Sequence, residues 1–209
     1  IVLSGSTTSG GIGLGHGTQL TITEDDATAI QREVPVVQVA APSMRGSAQV
    51  VYGNLNWSTV IQGTTPDYLE ARDWALAGGR PLAPEDVDGA TKVALLGQTT
   101  VQNLFGDADP LGQIIRIRKV PFTVVGMLGR KGQSSWGQDQ DDVILIPIST
   151  AKKKVLGVSQ ANARSVGAIS IKIRAGEDMV EAEAQIRALL RQRHRLQPYQ
   201  DDDFWLRNL

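Results

Sequence analysis

Histidine is the side chain that most often carries acid–base chemistry at neutral pH, and this sequence contains two. His16 lies in a Gly/Ser/Thr-rich stretch, residues 4–17, whose composition predicts a flexible loop. His194 lies within a run of basic residues, 191–195, at the predicted end of a helix. A Ser-His-Asp arrangement depends on spatial proximity, which the sequence leaves open. Because the G-x-S-x-G turn that exposes a nucleophilic serine is missing, the residues do not predict a hydrolase.

Two other stretches carry residue types that bind ligands. Glycines at positions 11, 13, 15 and 17 resemble a phosphate-binding loop, but such a loop needs a strand before it and a helix after it. Neither is predicted there, and the sequence has no G-x-x-x-x-G-K-[ST] motif. Asp139, Asp141 and Asp142 offer oxygen ligands for calcium. An EF-hand loop starting at Asp139 would need Gly at position six and Glu at position twelve, where the chain has Ile144 and Thr150.

The polar, Gly-rich loop around that acidic stretch, residues 129–142, is the sequence's candidate for a partner contact. The predicted contact residues, one isolated aromatic and three acids, are Trp136, Asp139, Asp141 and Asp142. We predict no catalytic, cofactor-binding or metal-binding residue. A second acidic run, residues 201–203, is interpreted as a solvated linker.

Composition excludes several function classes. The 21 basic and 22 acidic residues give a net charge of −1, which provides no basic footprint for nucleic acid or for a polybasic membrane patch. With no cysteine, the chain has neither disulfides nor thiolate metal sites. No apolar run approaches the roughly 20 residues that span a bilayer. The basic residues in 187–195 complement a helix dipole; attraction to anionic lipid headgroups is the alternative interpretation.

Hydrophobic periodicity predicts an α+β fold. Thr23 and Asp26 form a capping box that starts a helix running to about Arg32. Gly53-Asn54 predicts a hairpin between strands 48–52 and 55–62. Further helices are predicted over 65–74, 99–104, 150–156 and 177–196, and strands over 34–41 and 166–173.

These elements suggest two subdomains between two terminal segments. We expect 21–73 to pair with 166–200, and 74–165 to form a strand-rich insertion. Residues 1–20 should form a flexible arm, and 201–209 a linker. The insertion is expected to start after Gly78-Gly79 and to end near Gly157.

The order of several motifs along the chain resembles a known family. The motifs are TITEDDATAI at 21–30, VALLGQTTVQNLF at 93–105, DPLGQ at 109–113, VPFTVVGML at 120–128 and VILIPISTA at 143–151. No one of them is diagnostic, but their collinear order over nearly the whole chain is similar to the periplasmic core domain of MacB-type ABC transporters and related FtsX-like permeases. The chain departs from a full MacB in having neither a Walker A motif nor a membrane span.

The resemblance implies a function without catalysis in this segment. It predicts an extracytoplasmic domain, on the periplasmic side of the bacterial inner membrane, that transmits ATP-driven motion to export of substrate. In this family 74–165 would be the Sabre subdomain, and the remainder a porter-like α/β unit. No cofactor is expected in this segment; ATP-Mg is expected in the parent transporter, in a fused domain or a separate subunit.

The resemblance also implies partners. These are the parent's transmembrane and nucleotide-binding domains, a MacA-like adaptor and a TolC-like outer-membrane channel, with no nucleic acid. We expect the parent to be a homodimer and the isolated segment a monomer with both ends on one side. The alternatives are an FtsX- or LolC-like domain that releases lipoproteins or regulates cell-wall hydrolases, and a free-standing secreted binding module.

Overall fold

Helices and strands are mixed along the chain. The computed structural model describes residues 1–4, 8–9, 12–13, 21–134, 137–157 and 163–208. The strands are β1 (Val2–Ser4), β2 (Thr8–Ser9), β3 (Ile12–Gly13), β4 (Ile22–Thr23), β5 (Val37–Tyr52), β6 (Leu55–Thr64), β7 (Leu76–Gly79), β8 (Val93–Leu96), β9 (Ile114–Ile117), β10 (Val120–Leu128), β11 (Val143–Pro147), β12 (Ser165–Val166), β13 (Ala168–Ile173) and β14 (Phe204–Leu206). The helices are α1 (Glu24–Glu33), α2 (Tyr68–Ala71), α3 (Pro84–Asp88), α4 (Gln98–Phe105), α5 (Ile148–Thr150), a π-helix (Ala151–Val155) and α6 (Met179–Arg193).

The chain divides into two compact units. Unit one comprises Ile1–Ser43, Glu70–Arg72 and Ser159–Leu209, and unit two comprises Met44–Leu69 and Asp73–Val158. Strand β5 begins in unit one and ends in unit two. The structure thus places the hairpin of β5 and β6 in the unit that also contains 73–158, whereas the predicted boundary assigned it to the other unit.

Unit one contains an antiparallel sheet whose order is β14, β1, β13 and the first half of β5. The two ends of the described chain pair here. The Ile1 nitrogen donates to the Arg207 carbonyl at 2.8 Å, and the Arg207 nitrogen donates to the Ile1 carbonyl at 2.9 Å. Helix α6 buries Ala182, Ile186 and Leu190, which recur on one face because a helix turns every 3.6 residues.

Unit two contains a closed ring of six strands. The second half of β5 pairs with β6, and the pairings continue through β11, β8, β10 and β9 back to β5. Alternate residues point inward, and the largest fully buried side chains include Ile61, Leu96, Ile117, Phe122 and Ile144. Helix α4 and the π-helix add buried residues to this core.

Several local predictions are confirmed. In α1, Thr23 Oγ1 accepts from the Asp26 nitrogen at 3.1 Å, and Asp26 Oδ2 accepts from the Thr23 nitrogen at 3.1 Å, which is the predicted capping box. The hairpin turns at Gly53-Asn54, with Tyr52 opposite Leu55. Helices α4 and α6 occupy the predicted positions within a few residues.

Other local predictions were wrong at their limits. The predicted strands 34–41 and 48–52 are parts of one continuous strand, β5. Its first half pairs with β13 and its second half pairs with β6. The helix predicted through residue 74 is only α2, which ends before Asp73 takes a left-handed φ of 50°. Helix 150–156 is a π-helix over most of its length, and the Leu156 nitrogen donates to the Ala151 carbonyl at 2.7 Å.

The terminal segments also differ from the prediction. Most of the expected flexible arm, including 5–7, 10–11 and 14–20, lies outside the described residues, but Val2–Ser4 forms β1. The expected linker 201–209 contains β14, which pairs with β1. Backbone pairing of the two ends with each other explains both differences.

Candidate functional site

The predicted partner loop, 129–142, is fastened to unit two by its acidic residues. Trp136 lies outside the described residues. Asp139 Oδ2 accepts from Thr99 Oγ1 at 2.6 Å, and its side chain stays exposed. Asp141 is 3% exposed, and its two oxygens accept from the backbone nitrogens of Lys131 at 2.7 Å and Gly132 at 3.0 Å. Asp141 therefore folds the loop back on itself.

Asp142 connects the same loop to the ring of strands. Its Oδ1 accepts from Trp57 Nε1 at 2.8 Å and from Thr59 Oγ1 at 2.6 Å, and Thr100 Oγ1 lies 3.4 Å away. The donors are neutral, and they come from β6 and α4. Asp141 and Asp142 thus hold the loop in place. Partner contact by this loop stays a prediction, with Asp139 as the exposed acid.

A second cluster, in unit one, was not predicted. We call it the carboxylate–histidine cluster, and it consists of Asp26, Arg193, His194 and Asp203. His194 Nε2 lies 2.8 Å from Asp26 Oδ2, and its Nδ1 lies 2.7 Å from Asp203 Oδ1. Arg193 Nε donates to Asp26 Oδ1 at 2.7 Å. The Asp26 side chain is 3% exposed and that of His194 is 11% exposed, so these two charges lie largely out of water. Arg193 and Asp203 are 34% and 33% exposed.

The end of α6 explains how this cluster forms. His194 is the C-cap, Arg195 takes a left-handed φ of 55°, and the Leu196 nitrogen donates to the Arg191 carbonyl at 3.0 Å. This turn sends the chain back along α6. Arg191 Nη1 then donates to Asp202 Oδ1 at 2.7 Å.

The interpretation of 201–203 as a solvated linker was therefore wrong for two of its three residues. Asp202 accepts from Arg187 Nε at 3.1 Å as well as from Arg191, and Asp203 accepts from His194. Of the three, Asp201 is exposed, and Asp202 and Asp203 are partly buried. The basic helix end likewise has specific acidic partners in addition to the helix dipole.

The cluster holds His194 as a cation. Hydrogen bonds to Asp203 and then to Asp26 raise the pKa of His194 to about 9, against the effect of burial. Burial alone would raise the pKa of Asp26, but hydrogen bonds from His194 and Arg193 outweigh it and lower that pKa. At neutral pH the cluster thus contains two cations facing two carboxylates.

This arrangement does not suit His194 for acid–base catalysis. In a serine hydrolase one imidazole nitrogen faces a carboxylate and the other faces the nucleophilic hydroxyl. Here both nitrogens face carboxylates. His16 lies outside the described residues. Across the described part of the chain, no group of three or more His, Asp or Glu side chains has the geometry of a metal site.

The sequence contains a signal for this cluster in two charged runs, which were interpreted separately as a helix end and a solvated linker. A basic run, RQRHR at 191–195, is followed six residues later by DDD at 201–203. Opposite charge blocks at that separation favour a chain reversal that pairs them. Asp26 carries no such signal, because its partners lie 167 and 168 residues away.

The fold is that of the extracytoplasmic domains of ABC-type transporters. The periplasmic region of MacB from Actinobacillus actinomycetemcomitans superimposes with a TM-score of 0.76 at 23% identity, covering 98% of this chain and 85% of that one. The extracellular domain of the noncanonic ABC-type transporter YknZ from Gram-positive bacteria superimposes with a TM-score of 0.71 at 17% identity, covering 91% of each chain. At these identities the likeness establishes the fold alone.

Sequence comparison gives the family. The model of the MacB-like periplasmic core domain matches residues 1–189. Proteins named "Macrolide export ATP-binding/permease protein MacB" from Syntrophobacter fumaroxidans and Chlorobaculum tepidum are 35% and 38% identical over the whole chain. The chain spans 36% and 31% of their respective lengths. This chain belongs to the MacB-like periplasmic core domain family.

Family membership confirms the predicted class. The chain is the periplasmic core domain of a MacB-like ABC transporter permease. In the part of the chain that the structure describes, no helix is long and apolar enough to cross a membrane.

Proposed function

We propose that this domain transmits ATP-driven conformational change in its parent transporter to the export of substrate from the periplasm. The observation that carries the proposal is the pairing of the two chain ends in β1 and β14. In a parent with a membrane span on each side of this segment, both spans would connect to neighbouring strands of one sheet. Motion of either span would then act on the same part of unit one.

The carboxylate–histidine cluster supports this proposal because it fixes the approach to β14. Asp203 directly precedes that strand and binds His194 at the end of α6, and Asp202 binds Arg187 and Arg191 within α6. Asp26 connects the same cluster to the first turn of α1. A displacement of the chain after β14 would therefore move α1 and α6 together with the sheet.

The names of the relatives suggest, by analogy, what the parent transporter exports and which other parts it contains. Those proteins are named for macrolide export, ATP binding and permease activity. By that analogy the parent carries transmembrane and ATP-binding parts. The dimer, the MacA-like adaptor and the TolC-like outer-membrane channel remain what the family resemblance predicts. ATP-Mg would bind outside this domain.

The experiment compares the reconstituted parent permease with a version in which residues 2–206 are replaced by a short Gly/Ser linker. We expect the shortened permease to retain basal ATP hydrolysis and to lose export. A shorter replacement that removes only 44–69 and 73–158 from the parent tests whether unit one alone suffices. Export by the version without the domain would contradict the proposal.

A further inference from the structure

Unit two has an uneven charge distribution along its sequence. Three of its stretches, 44–64, 110–138 and 143–158, contain no Asp or Glu. Its acidic residues are confined to 65–109 and 139–142. The acid-free stretches supply β5, β6, β9, β10, β11 and the π-helix. Any surface formed from them alone carries only positive charge.

Three of these elements meet at Arg118. This residue lies in the turn between β9 and β10; its Nη1 donates to the Val155 carbonyl at 2.8 Å, and its Nη2 donates to the Ser47 carbonyl at 3.2 Å. Gly46 lies so close to the π-helix that a Cβ there would be 2.5 Å from Leu156 Cδ2. Arg118 therefore ties the turn to both β5 and the π-helix.

The surrounding cations are exposed and without acidic partners. We call this surface the basic face, and its members are Arg45, Arg116, Lys119, Lys153 and Lys154. Each is exposed, and each belongs to β5, to β9 and its turn, or to the π-helix. Among the residues that the structure describes, none of the five forms an ion pair. Their charges are therefore available to a partner.

The backbone under this face is unusual. Arg118 and Lys119 have positive φ values, 48° and 69°. A two-residue hairpin turn with positive φ at both central residues favours Asn-Gly, which adopts this conformation with less strain. The adjacent π-helix is a rare conformation that recurs at functional sites. Arg118 and Lys119 thus occupy turn positions whose backbone conformation favours Asn and Gly.

We propose that the basic face binds an acidic surface of a partner protein. Guanidinium groups pair with carboxylates through two parallel hydrogen bonds, and arginine is enriched at protein interfaces. The exposed positions next to Arg45 on β5 are Ser47 and Gln49, which add hydrogen-bonding groups. The inference concerns unit two and is independent of the proposed export function.

The test measures binding of a fluorescein-labelled dodecaglutamate peptide to the 209-residue chain by anisotropy at low salt. A dodecaglutamine peptide and vesicles containing phosphatidylglycerol are the comparison probes. The variant is Lys119→Glu with Lys153→Glu. The matched control, Lys92→Glu with Arg130→Glu, reverses two other exposed cations of unit two. Equal melting temperatures of the two variants exclude a folding defect as the cause.

We expect the wild-type chain to prefer the glutamate peptide, and the Lys119/Lys153 variant to bind it at least tenfold more weakly. The control variant should change the affinity less than twofold. Equal affinity for the glutamate and glutamine peptides would overturn the proposal, as would equal weakening by the control variant. Vesicle binding that depends on Lys119 and Lys153, without peptide binding, would assign the face to lipid and overturn it as well.

Discussion

The loop 129–142 and the carboxylate–histidine cluster use nearly identical sequences differently. The loop ends in DQDD at 139–142, and the cluster includes the last residue of QDDD at 200–203. In the loop, Asp141 and Asp142 accept hydrogen bonds from neutral backbone, indole and hydroxyl groups. Asp202 and Asp203 instead accept from two arginines and a histidine. The charge of the donors, and not the acidic run itself, decides how strongly salt affects each region.

The largest effect is expected for Asp26→Ala. It leaves His194 and Arg193 without their shared carboxylate in a buried position, which costs about 3–5 kcal/mol of unfolding free energy. The control is Asp25→Ala next to it, because the pair of Asp25 with Arg164 is exposed and should cost under about 1 kcal/mol. Urea unfolding of both variants measures the difference. Equal losses would show that burial of the cluster contributes nothing.

The second effect is pH dependence. The pKa of His194 is about 9 in the folded chain and about 6.5 when unfolded, so protonated His194 stabilises the fold. That contribution, about 3 kcal/mol, is complete below pH 6.5 and is lost as the pH rises through 9. Unfolding free energies of wild type and His194→Gln should differ most at pH 6 and converge by pH 10. A constant difference across this range would contradict the assignment.

On the acid side the sign reverses. The pKa of Asp26 is lowered, so its contribution is present above the unfolded value of 3.8 and is lost as the pH falls through the folded value. Unfolding free energies of wild type and Asp26→Ala, measured from pH 7 to below pH 4, test this limb, and the difference between the two proteins should shrink as the pH falls.

A smaller effect is expected in the loop. Asp142→Ala leaves the Trp57 and Thr59 donors without their acceptor and should cost about 2–3 kcal/mol. Asp142→Asn keeps one acceptor oxygen and should cost about half as much. Asp139→Ala, at an exposed position, is the control and should cost under about 1 kcal/mol. Thermal unfolding at pH 7 measures all three, and an equal cost for Asp139 and Asp142 would refute the structural role.

The smallest effect is expected for Arg187→Gln, and its dependence on salt distinguishes charged donors from the neutral donors of the loop. Arg187 is half-exposed, and its ion pairs among the described residues are with Glu183 and Asp202. Arg187→Gln should therefore cost about 0.5 kcal/mol at low salt and almost nothing in 1 M NaCl. Asp142→Ala should cost the same at both salt concentrations because its donors are neutral. Urea unfolding at the two concentrations gives both values. A salt-independent cost of Arg187→Gln would count against an electrostatic role for the pair of Arg187 with Asp202.

Local elements were predictable where a few neighbouring residues determine them. Thr23 and Asp26 specify the start of α1, Gly53-Asn54 specifies the hairpin, and the apolar spacing of α6 specifies its buried face. Family resemblance was also visible, because it rests on the order of such local motifs. These features need no knowledge of residues far away in the chain.

The rest depended on distant partners. Asp26 satisfies its capping role locally, and nothing near it shows that it also pairs with His194. The ring of unit two closes because β9 pairs with β5, a contact between Arg116 and Val51 that no periodicity encodes. The boundary between the units was misplaced for the same reason, since β5 changes partners halfway along its length.

The reciprocal hydrogen bonds between Ile1 and Arg207 have a consequence for how such a domain can be moved between proteins. A folded segment whose entry and exit are neighbouring strands needs no spacer, because its ends already meet at hydrogen-bonding distance. It can be inserted into a surface loop of an unrelated host while the two sides of that loop stay close together. The hydrogen bonds between Ile1 and Arg207 therefore suit this domain to insertion into other proteins, because the strands at its two ends pair with each other and not with the host.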